Sequence, residues 1–402
     1  MIDTPFKLPC GAVLKNRIAK AALTERLAKS DHLPNAYHTT LYKHWASHEA
    51  GMLLSGNILV DKRYLESTGN VVVEKNTSPE PFRKWTKEVL DYGNHFWAQL
   101  SHAGRQSSIF STRNPVSASD VRLNKMGLFA KPTALSESGV EDVIERFTYG
   151  AKFSKEVGFT GVQFHAAHGY LISQFLSPTT NKRSDQWGGS IENRSRLLFR
   201  IIELSRKELG SSYPISVKLN SADFQKGGFD EKDSRFVIKG LEERGIDLLE
   251  ISGGTYEKSA MFGIGLKEST LRREAYFIDF AKDLKKECSL PLMVTGGFRS
   301  LDFCNEALKQ GELDIIGFGR PFLIQEDFPQ GFLKKSNIKV DDPELKILDK
   351  NNADAAEAGY YDLQIKKLSK GKGLDHSYSG IRLATQIGVS EMRQGFKNWM
   401  FG

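Results

Sequence analysis

Three cysteines in 402 residues, Cys10, Cys288 and Cys304, provide neither metal-ligand spacing nor an even count. That usage suits a reducing compartment, and a cytoplasmic location is expected. No apolar run approaches the length of a membrane span. The opening stretch, MIDTPFKLPCGAVLKNR, has no apolar core of the secretory kind. No self-similarity recurs at solenoid or propeller periods. Long blocks of like charge are also missing. The net charge of +7 is spread along the chain, with only a mild cluster at Lys366, Lys367, Lys370 and Lys372. Such a surface is solvated and hospitable to anionic ligands, and neither nucleic acid nor a membrane is the expected partner.

The chain has instead an ordinary globular composition, 40% hydrophobic and 26% charged. Strand-like runs fall at 16–23, 52–59, 95–100, 159–164, 214–219, 248–251, 292–295 and 315–318. Helical patterns between them cover 36–49, 80–92, 140–156, 191–209, 231–244, 274–287 and 301–310. Ser138 with Glu141 reads as a capping box for the third helix, and Ser190 as the N-cap of the fourth. Eight strands alternating with helices imply an α/β fold, a closed parallel (β/α)8 TIM barrel. The expected domains are a barrel over 1–340 and a partly helical C-terminal extension over 341–402. The connections 101–139 and 165–189 are far longer than usual βα loops, and both follow strand C-termini, where barrel enzymes place their chemistry.

The stretch from His165 to Arg194 holds most of the chemistry. His165, His168 and Tyr170 offer two hydrogen-bond donors beside a phenol, equipment for holding an oxygen and protonating a neighbouring carbon. A zinc site is the weaker reading, because no carboxylate or cysteine stands at motif spacing, and no metal is expected. Alternation turns Gln99 and Lys218 into the barrel, where an amide needs partners and a cation needs an anion. Gly296-Gly297-Phe298-Arg299 and Gly317-Phe318-Gly319-Arg320 follow the last two strands, where barrels bind phosphate. By residue type alone, Ala21-Ala22-Leu23-Thr24 is equally ordinary barrel packing, and Asn57 is as well a turn residue.

The strings His-Ala-Ala-His-Gly-Tyr-Leu, Phe-Leu-Ser-Pro, Asn-Lys-Arg-Ser-Asp and Trp-Gly-Gly-Ser-Ile-Glu-Asn-Arg within 165–194 closely resemble the old yellow enzyme family. These are FMN-dependent ene-reductases and NADH:flavin oxidoreductases. The resemblance runs from Phe6 to Phe328. It implies non-covalent FMN held by Ala21, Ala22, Leu23, Thr24, Asn57, Gln99 and Lys218, with Gly297, Gly319 and Arg320 at its phosphate. It also implies NAD(P)H as reductant and an electron-poor alkene, with a carbonyl or nitro group, as substrate. His165 and His168 would hold that oxygen, Tyr170 would protonate the α-carbon, and Arg26 would line the substrate site. An oxidase or demethylase on the same barrel, or a flavin-binding protein without turnover of its own, are the other readings. Relatives with an iron–sulfur cluster need a cysteine quartet and a second flavin domain, which this chain lacks. Glu25 and Arg26 stand where many relatives have apolar or aromatic residues, and Lys218 where many have arginine. NADH versus NADPH stays open, as does assembly into a homo-oligomer.

Overall fold

Along the run Ile215–Asn220, Ile215, Val217 and Leu219 join the main hydrophobic core, and the alternate Ser216, Lys218 and Asn220 face the other way. The same parity repeats in strand after strand and separates an outer, helix-covered surface from an interior. The computed structural model describes residues 1–125, 127–257, 274–334, 339–342, 353–377, 383, 389–393 and 395–396. Its eight main strands are β1 (Ile18–Lys20), β2 (Met52–Leu59), β3 (His95–Ser101), β4 (Gly161–Ala166), β5 (Ile215–Asn220), β6 (Leu248–Ser252), β7 (Leu292–Thr295) and β8 (Ile315–Phe318). All pair in parallel, and β1 bonds to both β8 and β2, so the sheet closes into the expected barrel.

The helices are α1 (Ala36–Ala46), α2 (Glu80–Leu90), α3 (Glu137–Glu156), α4 (Leu171–Leu176), α5 (Ile191–Leu209), α6 (Glu231–Glu243), α7 (Ile278–Leu284), α8 (Leu301–Lys309), α9 (Gln330–Lys334) and α10 (Ala353–Leu368). None is long and apolar enough to cross a membrane. Inside the barrel, Ala19, Met52, Leu54, Trp97, Leu248, Met293 and Ile315 form a separate apolar cluster at the N-terminal ends of the strands. Leu8 and Leu14, from a hairpin pairing Phe6–Lys7 with Val13–Leu14, complete this cluster and plug that end. On the outside, Ile365 and Leu368 of α10 belong to the same core as the barrel helices, so this part of the C-terminal segment packs on the barrel.

Several boundaries differ from the sequence reading, and four of the differences have a clear cause or consequence. β1 is shorter than 16–23. The Asn16 side chain caps its start by accepting from the Ile18 amide at 3.1 Å, and after Ala21 bonds to the Phe318 carbonyl the chain leaves the sheet. β4 begins and ends two residues later than 159–164, so His165 lies in the strand rather than the loop, paired with Lys218. α7 is shorter than 274–287 because Ala275 takes a left-handed φ of 57°, which interrupts a helix. The capping box at Ser138 and Glu141 is not formed. α3 starts at Glu137, capped by Ser136, whose hydroxyl accepts from the Gly139 amide at 3.1 Å. Glycine at that third helical position has no side chain to complete a box. Ser190 does cap α5, accepting from the Asn193 amide.

Exchanging these serines one at a time tests the assignment. Ser136→Ala leaves one more helix amide without a partner and should lower unfolding stability by about 1 kcal/mol, and Ser138→Ala by no more than about 0.5 kcal/mol. Urea denaturation followed by circular dichroism measures both, and the reverse ranking would restore the cap to Ser138.

Candidate active site

At the C-terminal ends of the strands lies a cavity of about 480 Å³, a size usual for small-ligand pockets. Ala21, Ala22, Leu23, Thr24 and Arg26 line it after β1, Asn57 from β2, Gln99 from β3, and His165 from β4 with His168 and Tyr170 just beyond. Lys218 enters from β5, and Gly297, Gly319 and Arg320 follow β7 and β8. The two charged neighbours Glu25 and Arg26 part company. Glu25 turns behind the wall, where it accepts from the Tyr42 hydroxyl and from the Gly56 amide at 2.8 Å. Gly56 sits so close to Leu23 and Glu25 that a Cβ would have no room. Burial pulls the nearby Lys20 ammonium down to about 7, with Glu25 opposing the shift.

The buried cation predicted at Lys218 has its anion. Glu250, on β6 and fully buried, places Oε1 2.9 Å from Lys218 Nζ. The same carboxylate accepts from Gln163 Nε2 at 2.8 Å, and Gln163 accepts from Gln99 Nε2 at 2.7 Å. Gln99, Gln163, Glu250 and Lys218 thus form one polar layer across the barrel interior, directly above the apolar plug. Gln99 therefore has a protein partner for its amide, which the sequence reading had assigned to the flavin alone.

His165 and His168 stand 5.1 Å apart between ring centroids, and Tyr170 lies 4.7 Å from His165. Burial, reinforced by the Lys218 charge, holds both imidazoles well below the usual histidine range, so they are neutral at physiological pH. His165 Nδ1 accepts from the Ala167 amide, which leaves the ring proton on Nε2. His168 has a φ of 60°, and its Nε2 is 2.7 Å from the Ser252 hydroxyl. Burial also raises the Tyr170 phenol well above the ordinary tyrosine value, so it is protonated and available as an acid.

At the other end of the cavity, Gly296 and Gly297 adopt φ of 118° and 88°, a region that favours glycine. A Cβ on Gly297 would come within 2.8 Å of the Tyr276 ring. The Thr295 hydroxyl is buried in this wall without a hydrogen-bond partner among the described residues. Arg320 donates to Glu357 Oε1 at 2.8 Å and lies 3.2 Å from Asp342, which also holds Arg299 by two bonds of 2.9 and 3.0 Å. Bare glycine turns, a partnerless hydroxyl, an arginine at one end and an inward cation and amide suit a flavin mononucleotide. A phosphate reaching Arg320 shares it with two carboxylates from beyond the barrel.

Several residues that line the cavity or lie just beneath it escaped the sequence reading. Glu250 carried a signal, since a glutamate among Leu248, Leu249 and Ile251 has the same inward parity as Lys218. Tyr256, Glu66 and Ser252 carried none, because only the folded barrel brings their loops and strand ends beside Tyr170 and His168.

Comparison with known proteins places the chain among flavin oxidoreductases. The family model described as NADH:flavin oxidoreductase / NADH oxidase matches residues 2–337. The NADH-dependent flavin oxidoreductase iliE of Hypocrea jecorina (strain QM6a) is 33% identical over 367 residues, covering 85% of this chain and 91% of its own. An NADPH dehydrogenase of Bacillus licheniformis is 28% identical over 341 residues, covering 85% and 96%. Among solved structures, the old yellow enzyme homologue from Zymomonas mobilis superposes with a TM-score of 0.72 at 26% identity, over 85% of this chain and 94% of its own.

Removing one member of the buried ion pair exposes what it supports. Glu250→Gln leaves the Lys218 ammonium without its anion and should destabilise the fold by about 3–5 kcal/mol, and adding Lys218→Met should recover much of that loss. Urea midpoints of the parent, the single and the double variant measure it, and a midpoint unmoved by Glu250→Gln would mean that the pair is solvated.

Proposed function

Because the chain belongs to the NADH:flavin oxidoreductase / NADH oxidase family, we propose that it reduces electron-poor alkenes carrying a carbonyl or nitro group. It is an NAD(P)H-dependent flavin oxidoreductase of the old yellow enzyme type, with FMN as its cofactor. When bound, FMN supplies a hydride taken from NAD(P)H and passed to the β-carbon of the alkene. Lys218 offers a positive charge, Gln99 and Asn57 offer amides and Thr24 a hydroxyl to the flavin ring, and Gly297, Gly319 and Arg320 hold its phosphate.

The observation that carries the proposal is the convergence of His165, His168 and Tyr170 on one cavity wall in the protonation states the reaction needs. Two neutral imidazoles can each donate one hydrogen bond to the substrate oxygen and stabilise the charge that builds there. A cationic pair would repel one another beside Lys218. Tyr170 delivers its phenolic proton to the α-carbon, and the Asn57 amide, 3.4 Å from that oxygen, donates to it. Burial of the wall excludes water that would compete for the oxygen.

Two measurements test these roles. Phenols mimic the oxygen of the substrate, and His165→Ala or His168→Ala should each weaken phenol binding by about 1.5–3 kcal/mol, read from flavin absorbance titrations. Undiminished binding in both variants would place the oxygen elsewhere. Tyr170→Phe keeps the ring and removes the proton. Stopped-flow should then show flavin reduction by NADPH nearly unchanged and reoxidation by an enone slowed by about 10²–10⁴-fold. Reoxidation by dioxygen has no such dependence, and an enone half-reaction untouched by the change would remove Tyr170 from the chemistry.

A further inference from the structure

From Tyr170 a line of hydroxyl and carboxyl oxygens follows the cavity wall to Arg26. Tyr170 Oη is 2.9 Å from Tyr256 Oη, and Tyr256 Oη is 3.4 Å from Glu66 Oε1. Glu66 Oε1 in turn lies 3.3 Å from Arg26 Nη2. Tyr170 is only 4% exposed and the Glu66 side chain 6%, and the Arg26 side chain reaches water with 24% of its surface. We propose that Glu66 and Tyr256 are a proton relay that recharges Tyr170, the negative charge left behind resting on the Glu66 carboxylate against the Arg26 guanidinium. This inference rests on Tyr170 being the acid of the proposed reaction.

The direction of the hydrogen bonds carries the argument. Each phenol has a single proton to donate. If Glu66 is ionised, Tyr256 donates to it, and Tyr170 donates to Tyr256, which commits its proton to the neighbouring phenol instead of the substrate. If Glu66 is protonated, it donates to Tyr256 and Tyr256 donates to Tyr170, so the Tyr170 proton is free to meet a substrate carbon. Burial raises the Glu66 carboxyl above the ordinary range, Glu391 adds to the shift, and Arg26 and the Asn70 and Tyr256 hydrogen bonds oppose it. Arg26 is itself balanced by Glu391, 3.6 Å from its Nε, and by Asp362.

The bonds balance. As the α-carbon–hydrogen bond forms, the Tyr170 O–H bond breaks. Tyr170 takes the Tyr256 proton, Tyr256 takes the Glu66 proton, and the negative charge comes to rest on the Glu66 carboxylate. A phenolate stranded at either tyrosine would sit in surroundings that strongly disfavour it, since burial raises both phenols. A carboxylate against a guanidinium is the better resting place. Solvent reaching the Arg26 side returns the proton to Glu66 between turnovers. The 3.4 Å step is long for a hydrogen bond, as catalytic contacts often are before a substrate tightens them.

Tyr256→Phe and Glu66→Gln, measured in the FMN-loaded protein, test the relay. Both should be reduced by NADPH at the parent's rate, which confirms their folding, and both should be slowed about 10–100-fold in reoxidation by an enone. Glutamine still donates a hydrogen bond to Tyr256 but has no proton to pass. A Glu66→Gln rate equal to the parent's would therefore mean that Glu66 only orients the tyrosines, and would overturn the relay. In the parent, the enone half-reaction should slow as pH rises through the raised Glu66 value, and this limb should vanish in Glu66→Gln. A readout independent of turnover is the infrared carbonyl band of the protonated Glu66 carboxyl, which should fade over the same pH range as the enone limb, with or without FMN, and be lost in Glu66→Gln. Its absence from the parent would also overturn the proposal. Proton inventories in mixed heavy water should be curved for the parent and linear for Tyr256→Phe, so that the test survives if Glu66→Gln does not fold. If Tyr170→Phe itself leaves the enone step unchanged, the acid assignment and the relay fall together. If Tyr170→Phe slows that step and the other two variants do not, the relay falls alone.

Discussion

The ion pair between Lys218 and Glu250 is the constraint around which the barrel interior is arranged. Neither charge can be buried alone, so the two must meet at one height, and parallel register brings Lys218 directly beside Glu250 on the next strand. Once that carboxylate is fixed, its remaining lone pairs call for a donor. Gln163 supplies it and passes the demand on to Gln99. Below this layer, apart from the Ser216 hydroxyl that accepts from Gln163, the interior is filled by apolar side chains. Above it the walls carry polar groups without enough protein to satisfy them all, as the Thr295 hydroxyl shows. A ligand site at this height follows from the change of packing across a single layer of side chains.

The same layer sets the electrostatic tone of the wall opposite the Gly296-Gly297 turn and Arg320. Lys218 pairs in register with His165 and holds both histidines neutral together with their burial. Tyr170, Tyr256 and Glu66 lie farther along that wall and share one hydrogen-bonded line with Arg26. The C-terminal segment touches both ends of the cavity. Glu391 binds Thr68 and faces Arg26, and Glu357 with Asp342 engages Arg320. A region in which the resemblance of the sequence fades thus supplies charges to each end.

The barrel itself was legible because its signals are local. Strands such as 52–59, 292–295 and 315–318 alternate or run apolar between turns, and their observed bounds are the same. The inward direction of Gln99 and Lys218 followed from parity alone. The string around His165 and Tyr170 identified the family through its resemblance. What stayed hidden depends on distance in the chain. No pattern near Glu66 announces Tyr256, which is 190 residues away. Glu25 and Arg26 are adjacent and equally charged in appearance, and only the turn after β1, with Arg26 at a φ of 56°, sends one behind the wall and the other into the cavity. The cap of α3 moved by two residues because two serines of similar propensity stand two residues apart, and it is the Ser136 hydroxyl that meets the Gly139 amide.

The hairpin at the start of the chain has a consequence for traffic. With Leu8 and Leu14 buried among the residues that fill the lower barrel, nothing can enter or leave from that side. Whatever visits the cavity must come and go by the opposite rim, so in the function proposed above the nicotinamide and the alkene share one doorway, and a crowd of either delays the other.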